Sequence, residues 1–168
     1  MEQLPSGFDQ TLRSATEQAF SVILFTEVAQ RQEAVMLDPL APAVHATIHL
    51  ASAREDMCVV LTLRCARTCA ALMAARMLQI ASAEADNDQM IDDVMGEIAN
   101  VLGGGLKTAV EEQITDLVLG LPEIQEQPTG ELPPLPEHAS VLHFSDGADM
   151  QFSLALMKEV ACARTCHR

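Results

Sequence analysis

The amino-acid sequence predicts an α+β fold in which a mostly antiparallel sheet packs against long helices. Three observations lead to this fold class. Two neighbouring segments alternate strictly between apolar and polar residues, further strand-like segments close the chain, and amphipathic helical patterns flank the first pair. Because the strands come in runs rather than singly between helices, a doubly wound parallel sheet is not expected. The predicted element order is α-β-β-α-α-β-β-β.

The first predicted elements are a helix and a β-hairpin. Apolar residues recur at three- and four-residue steps over residues 8–23, which is the pattern of an amphipathic helix. Residues 44–50 (VHATIHL) and 57–64 (MCVVLTLR) alternate with a period of two and are joined by a polar turn, so they predict an antiparallel pair. On the first strand His45 and His49 would stand about 13 Å apart, too far to share an ion. They are interpreted as surface or cross-strand histidines.

Two helical patterns follow the hairpin. The first runs from about Cys65 to Ile80, and a polar break separates it from a long helix between about Met90 and Gln113. Asp88 is available as the N-cap of the long helix, because its side-chain oxygen can accept a hydrogen bond from the first turn.

The remaining segments are predicted to complete the sheet. Residues 115–124 (TDLVLGLPEI) read as a strand that Pro122 interrupts. The proline-rich residues 128–138 are predicted to form a loop, because proline cannot donate a hydrogen bond within a central strand. Residues 140–144 (SVLHF) and 150–157 (MQFSLALM) predict a closing hairpin.

Length and composition indicate one domain. The chain has 168 residues, of which 49% are hydrophobic, so residues 1–158 can form one core, and residues 159–168 are predicted to be a C-terminal tail. The formal net charge of −14 opposes binding to nucleic acids and to anionic membranes. No apolar run reaches the roughly 18 residues of a spanning helix, and the N-terminal residues lack the layout of a signal peptide. We therefore predict a cytoplasmic protein with no nucleic-acid or membrane partner.

The cysteines indicate reduced thiols rather than a disulfide framework, because their number is odd at five. The pentapeptide CARTC occurs twice, at residues 65–69 and 162–166. In the first copy both cysteines fall on one side of the predicted second helix, where a free cysteine acts as a small hydrophobe. A zinc site formed by the second copy and His167 would match no common ligand spacing. No metal site is predicted, and a zinc-dependent hydrolase is the least favoured alternative.

The candidate functional residues lie on the long helix, in the stretch DDVMGEIANVLGGG (residues 92–105). Four polar or glycine positions at four-, three- and four-residue steps share one face of this helix: Asp93, Glu97, Asn100 and Gly104. Asparagine is an indifferent helix former, and each glycine costs about 0.5–1 kcal/mol relative to alanine. A helix under selection for stability alone would not combine these choices. The glycines would allow another backbone to approach closely, from either a neighbouring helix or a partner protein.

The run MIDDVMGEIANVLGGGLKTAV resembles the signature helix of the CheC/CheX/FliY chemotaxis phosphatases. That signature is an acidic residue or serine, three residues, glutamate, two residues, asparagine, and a proline a little over twenty residues later. The matching positions here are Asp93, Glu97, Asn100 and Pro122. The motif occurs once, as in the CheX branch. The triple glycine, the proline-rich insertion and the CARTCHR tail depart from the family pattern.

The resemblance implies a CheC/CheX-like fold and a phosphatase that hydrolyses the aspartyl phosphate of a CheY-like receiver domain. Asn100 would orient the attacking water, and Glu97 would pair with the receiver's active-site lysine. Gly96, Gly103 and Gly104 would contact the partner. The chain itself would bind no cofactor, because the receiver supplies Mg²⁺, and it is expected to be a homodimer. The alternative is a non-catalytic module of the same fold that binds a receiver or a flagellar-switch protein.

Overall fold

The computed structural model describes residues 7–52, 54, 57–111 and 113–160, and in these residues three long helices lie on one face of a seven-stranded sheet. In chain order the elements are α1 (Phe8–Ile23), β1 (Ala29–Arg31), β2 (Ala43–Ser52), β3 (Met57–Ala66), α2 (Arg67–Leu78), α3 (Ser82–Ala85), α4 (Asp88–Val110), β4 (Leu117–Leu119), β5 (Glu123–Gln127), β6 (Ser140–Ser145) and β7 (Gln151–Val160).

Every strand pair in the described sheet is antiparallel, which confirms the predicted fold class. The strand order is β1-β6-β7-β3-β2-β4, and β5 also pairs with β2. The predicted order of helices and strands is confirmed. Two short elements, β1 and α3, are additional, because segments of three and four residues are too short to show a period in the sequence.

The strand predicted over residues 115–124 forms the edge of the sheet beside β2 in two pieces. β4 pairs with one end of β2 and β5 with the other. Between them the Gly120 N–H donates to the His49 carbonyl oxygen at 2.8 Å. Pro122 follows where the pairing is interrupted, because its ring nitrogen has no hydrogen to donate. The predicted interruption at Pro122 is therefore confirmed.

The core lies between the helices and the inward face of the sheet. The apolar residues of the alternating strands are buried there, together with one stripe of α4. Phe20 and Phe144 both stack with Phe152, with ring centroids 4.5 and 5.3 Å away. Burying each such side chain stabilises the fold by about 1.5–3 kcal/mol before the entropy cost is counted. This core holds α4 firmly against the sheet.

Two predicted helix starts were wrong by one to two residues. Cys65 belongs to β3, where it pairs with Val44 and Phe152, and α2 begins only at Arg67. The apolar character of cysteine suits a strand as well as a helix, so periodicity could not separate them. The N-cap of α4 is Asn87 rather than Asp88, and its side chain accepts a hydrogen bond from the Met90 N–H at 3.3 Å.

The two cysteines of the first CARTC copy are buried as the sequence predicted, but only Cys69 lies on α2. Cys65 and Cys69 are buried and unpaired by any disulfide among the described residues. A hydrogen bond between the two thiols, and then burial, raise the pKa of Cys65, while the same hydrogen bond lowers the pKa of Cys69. The second copy, His167 and all of the predicted tail from residue 161 onward lie outside the described residues.

The proline-rich segment covers part of the outward face of the sheet. We call residues 133–139 the proline strap. Leu135 and Ala139 of the strap pack on Cys58, Val60 and Met157, in a small second cluster separate from the main core. The Arg64 guanidinium holds the strap by donating from Nη2 to the Pro133 carbonyl oxygen at 2.9 Å. The segment contains no strand, as predicted for a loop.

Candidate active site on helix α4

Helix α4 is held in place by packing on three sides. It contacts α1, α2 and the sheet strands β2 and β3. Its buried stripe is apolar: Ile91, Val94, Met95, Ile98, Leu102, Leu106 and Val110. Because this stripe turns inward, the opposite face of the helix is presented to solvent.

The solvent-facing side of α4 carries the predicted functional row. Asp93 and Glu97 are exposed, whereas Asn100 and Gly104 are half-buried. Among the described residues, neither Glu97 nor Asn100 has a side-chain hydrogen bond or ion pair. The carboxylate and the amide therefore lie one turn apart on a rigid helix. Both are free to bind a group that arrives from outside.

The three consecutive glycines point in three directions. A Cβ added to Gly103 would come within 2.8 Å of Leu119 Cδ1 and 3.3 Å of Ile48 Cγ2, in the sheet below. A Cβ on Gly105 would lie 3.3 Å from the Ala15 Cβ of α1. A Cβ on Gly104 would meet nothing within 4 Å. Successive helix residues are turned by about 100°, so each glycine has a different neighbour and only Gly104 faces outward.

Gly96 also faces the protein's own structure. A Cβ at this position would lie 3.5 Å from both Pro122 Cγ and Ile124 Cδ1. Pro122 therefore packs beside the helix turn that carries Glu97. Gly96 and Gly103 are buried, so the structure does not support the partner contact that the sequence predicted for them. That prediction stands for Gly104 alone.

A charged cluster lies at the start of α4 and was not predicted from the sequence. Arg67, the first residue of α2, donates to Asp86 at 3.1 Å and to Asp88 at 2.7 Å, and its guanidinium also pairs with Glu126 on β5. Burial opposes the charge of Arg67, but the carboxylates outweigh it and raise its pKa. The cluster ties the first turn of α4 to α2 and β5. Its members are far apart along the chain, so no spacing in the sequence reveals it.

A groove of about 630 Å³ runs between α1 and α4 beside the functional row. Its floor is apolar and includes Ala15, Val101 and Gly104, and the exposed side chain of Val22 lies at its rim. Gly104 lines the groove without a side chain and lies on the helix face that carries Asn100. A partner that covered Glu97 and Asn100 could therefore bury apolar surface in the same contact.

The comparison with protein families finds one match. The family described as "Chemotaxis phosphatase CheX" matches residues 46–136, more than half of the chain. The matched segment runs from β2 to the proline strap and contains the four motif positions Asp93, Glu97, Asn100 and Pro122. No curated protein sequence matches the chain.

Several solved structures share the fold. A CheX chemotaxis protein from Vibrio vulnificus superposes with a TM-score of 0.73 at 17% identity, over 92% of this chain and 100% of that one. A CheC-like protein from Shewanella gives a TM-score of 0.71 at 14% identity, over 93% and 99% of the two chains. A complex of CheX with CheY, BeF₃ and Mg²⁺ from Borrelia burgdorferi gives 0.64 at 10% identity, over 90% and 97%. At these identities the likeness shows the fold.

Proposed function

Because the chain belongs to the CheX family of chemotaxis phosphatases, we propose that it hydrolyses the aspartyl phosphate of a CheY-like response-regulator receiver domain. The observation that carries this proposal is the pair Glu97 and Asn100. Both side chains face outward from a helix packed firmly on the core, and neither has a partner among the described residues. Such a pair is pre-positioned to act on a phosphoryl group that another protein presents.

The role proposed for Asn100 is to orient the attacking water. An acyl phosphate is already reactive, so a catalyst mainly needs to place water in line with phosphorus and stabilise charge. The Asn100 amide offers both a donor and an acceptor for one water molecule. The water oxygen bonds to phosphorus while the bond from phosphorus to the aspartyl oxygen breaks. The products are the free carboxylate and inorganic phosphate, and the surplus proton passes to solvent.

The role proposed for Glu97 is to fix the docked receiver. Its exposed carboxylate would pair with the receiver's active-site lysine, one helical turn from Asn100. An exposed ion pair contributes only about 0–1 kcal/mol, but docking excludes water and strengthens it. Glu97 would thereby set the register in which the Asn100 amide meets the phosphoryl group. Asp93, one turn earlier, supports the same face.

The proposed partner is a phosphorylated receiver domain. The Borrelia burgdorferi structure, which shares this fold, is a complex of CheX with CheY and Mg²⁺. We propose that a phosphorylated receiver covers the Glu97–Asn100 row and the groove beside Gly104, and that it brings its own Mg²⁺. The homodimer and the cytoplasmic location stay predictions.

The test is a panel of purified receiver domains, each phosphorylated in the presence of Mg²⁺ and mixed with the chain. We expect faster loss of the phosphoryl group from at least one receiver, and slower loss with the Glu97→Gln variant. The matched control is Gln89→Ala, which deletes an exposed side-chain amide in the first turn of α4. It should leave the rate unchanged. Binding of a receiver without any acceleration would instead indicate the non-catalytic module.

A further inference from the structure

A second cavity lies on the sheet face opposite α4, under the proline strap. Its volume is about 250 Å³, and its floor is made by outward-facing residues of β2 and β3. The cross-strand pairs His45–Arg64 and Thr47–Thr62 stand next to each other on this floor. Adjacent pairs on one face are about 7 Å apart, so all four side chains can surround one small ligand.

Among the described residues, His45 has a buried ring nitrogen without a hydrogen-bond partner. The residue is only 8% exposed, and its Nδ1 makes no hydrogen bond within the described residues. Leaving a buried polar atom unsatisfied costs about 1–3 kcal/mol. The imidazole lines the cavity, so the protonated ring can donate its Nδ1–H to an anion held there.

Arg64 stands apart from the other described arginines. Five of these pair with a carboxylate: Arg13, Arg31, Arg54, Arg67 and Arg76. Arg64 has no such partner among the described residues and donates instead to the strap carbonyl of Pro133. A guanidinium has five N–H donors, so several are left for an anion. Its positive charge also argues against a cation in this cavity.

The threonine pair adds a further donor. Thr47 Oγ1 and Thr62 Oγ1 lie 3.2 Å apart, and one hydroxyl hydrogen suffices for that contact. The second hydroxyl hydrogen can be donated to a ligand. Glu159 is the acidic residue at the cavity. On β7 it stands opposite Cys58 in the strand register, and Cys58 is six residues along β3 from Arg64. That separation is about 20 Å along the strand, so the positive end of the cavity is left to Arg64.

We propose that this cavity binds a small oxyanion, either a carboxylate or a phosphate group, between Arg64 and His45 beneath the proline strap. The guanidinium, the protonated imidazole and one threonine hydroxyl supply the donors. Charge-assisted hydrogen bonds of this kind are shorter and about twice as strong as neutral ones. The site is independent of Glu97 and Asn100, which lie on the other face of the sheet.

Binding should be coupled to protonation of His45. Burial, and then the charge of Arg64, lower the pKa of His45, while a hydrogen bond that the imidazole donates to the Gln125 side chain opposes the shift. His49 and Glu159 are the other titratable groups at the cavity. An anion beside Arg64 offsets its field and favours the imidazolium. The pKa of His45 should therefore rise when the ligand binds.

The experiment is an NMR titration of the histidine side chains of the full chain with inorganic phosphate and, separately, with acetate. We expect the His45 signals to shift to saturation and the pKa of His45 to rise. Arg64→Gln should weaken binding about tenfold or more. Arg54→Gln removes an exposed arginine paired with Asp116 and should leave binding unchanged. Saturation by one probe alone assigns the ligand class, and saturation by both supports an oxyanion site of broad specificity.

Two results would overturn the proposal. One is the absence of a saturable His45 shift with either probe in the wild-type chain. The other is equal affinity in Arg64→Gln and wild type. Should Arg64→Gln not fold, His45→Gln provides the second variant, followed through the thermal stabilisation that each probe confers. Equal stabilisation of His45→Gln and wild type would contradict the site in the same way.

Discussion

Gly103 and Gly104 are neighbours in α4, yet substitution should affect them in opposite directions. Alanine improves helix propensity at either position by about 0.5–1 kcal/mol. At Gly103 the added methyl would meet Leu119 Cδ1 at 2.8 Å and Ile48 Cγ2 at 3.3 Å, and overpacking of this kind costs about 1–3 kcal/mol. At Gly104 the space is open. We therefore expect Gly104→Ala to stabilise the fold and Gly103→Ala to destabilise it.

Urea unfolding of the two variants and the wild type measures this difference. The midpoint should rise for Gly104→Ala and fall for Gly103→Ala, with similar slopes. A loss of stability in Gly104→Ala would show that its methyl meets a neighbour, contrary to the structure. If Gly104 also faces a docked receiver, Gly104→Ala should be more stable than the wild type but should dephosphorylate the receiver more slowly.

His45 and His143 predict how stability depends on pH. Burial, and then the charges of Arg64 and Arg31 respectively, lower their pKa values from the ordinary 6.5. The unfolded chain binds these protons near 6.5, and the folded chain only at lower pH, so acid favours unfolding in between. The free energy of unfolding should therefore have its full value above about pH 6.5. It should decrease as the pH drops toward the lowered pKa values.

Urea midpoints at about pH 7.5 and about pH 5.5, in buffers free of phosphate and carboxylates, test this dependence. His45→Gln keeps a polar side chain but cannot titrate, so it should lose less stability on acidification than the wild type. His138→Gln alters an exposed histidine of the proline strap and serves as the control. An unchanged acid loss in His45→Gln would contradict the assignment to His45.

The start of α4 depends on the cluster around Arg67. Single exposed ion pairs contribute about 0–1 kcal/mol, but here one arginine with 17% of its side chain exposed holds three carboxylates on two other segments. We expect Arg67→Ala to lower the free energy of unfolding by about 1–3 kcal/mol. Arg13→Ala breaks an exposed pair with Glu17 within α1 and should cost only about 0.3–0.5 kcal/mol. Equal losses in the two variants, measured by urea unfolding, would argue against a positioning role for Arg67.

Periodicity predicted the elements that bury a regular apolar stripe, and it failed where such a stripe is absent or ambiguous. β2, β3 and α4 each bury a regular apolar stripe, so their existence could be read from the sequence. β1 has three residues with no buried side chain, so nothing marked it. Cys65 fits either pattern, and its strand state is decided by pairing with distant Phe152. Arg67 gains its role only when the fold brings three acidic residues to it.

The candidate site could be predicted in part for a related reason. Glu97 and Asn100 lie within one turn of helix, so their common face follows from the sequence alone. What lies opposite each glycine does not follow, because Leu119 and Ala15 reach α4 from distant parts of the chain. The cavity at His45 and Arg64 was missed because its roof is the proline strap. A loop that folds back over a sheet leaves no periodic signal.

Within the described part of the chain, the two candidate surfaces lie on opposite sides of one sheet. Helix α4 and its groove lie on one side, and the proline strap with its basic cavity lies on the other. The proposed phosphatase depends on the first surface and the proposed anion site on the second. A variant at Arg64 should accordingly leave receiver dephosphorylation intact, whereas a variant at Asn100 should leave anion binding intact.

The proposed role of Asn100 is tested by the rate of receiver dephosphorylation by Asn100→Ala, compared with Gln89→Ala and the wild type, at saturating concentrations of the chain. If Asn100 orients the attacking water, its loss should lower kcat about 100-fold. Receiver affinity should stay close to that of the wild type, and Gln89→Ala should retain the full rate. A folded Asn100→Ala variant that dephosphorylates the receiver at the wild-type rate would show that Asn100 does not orient the attacking water.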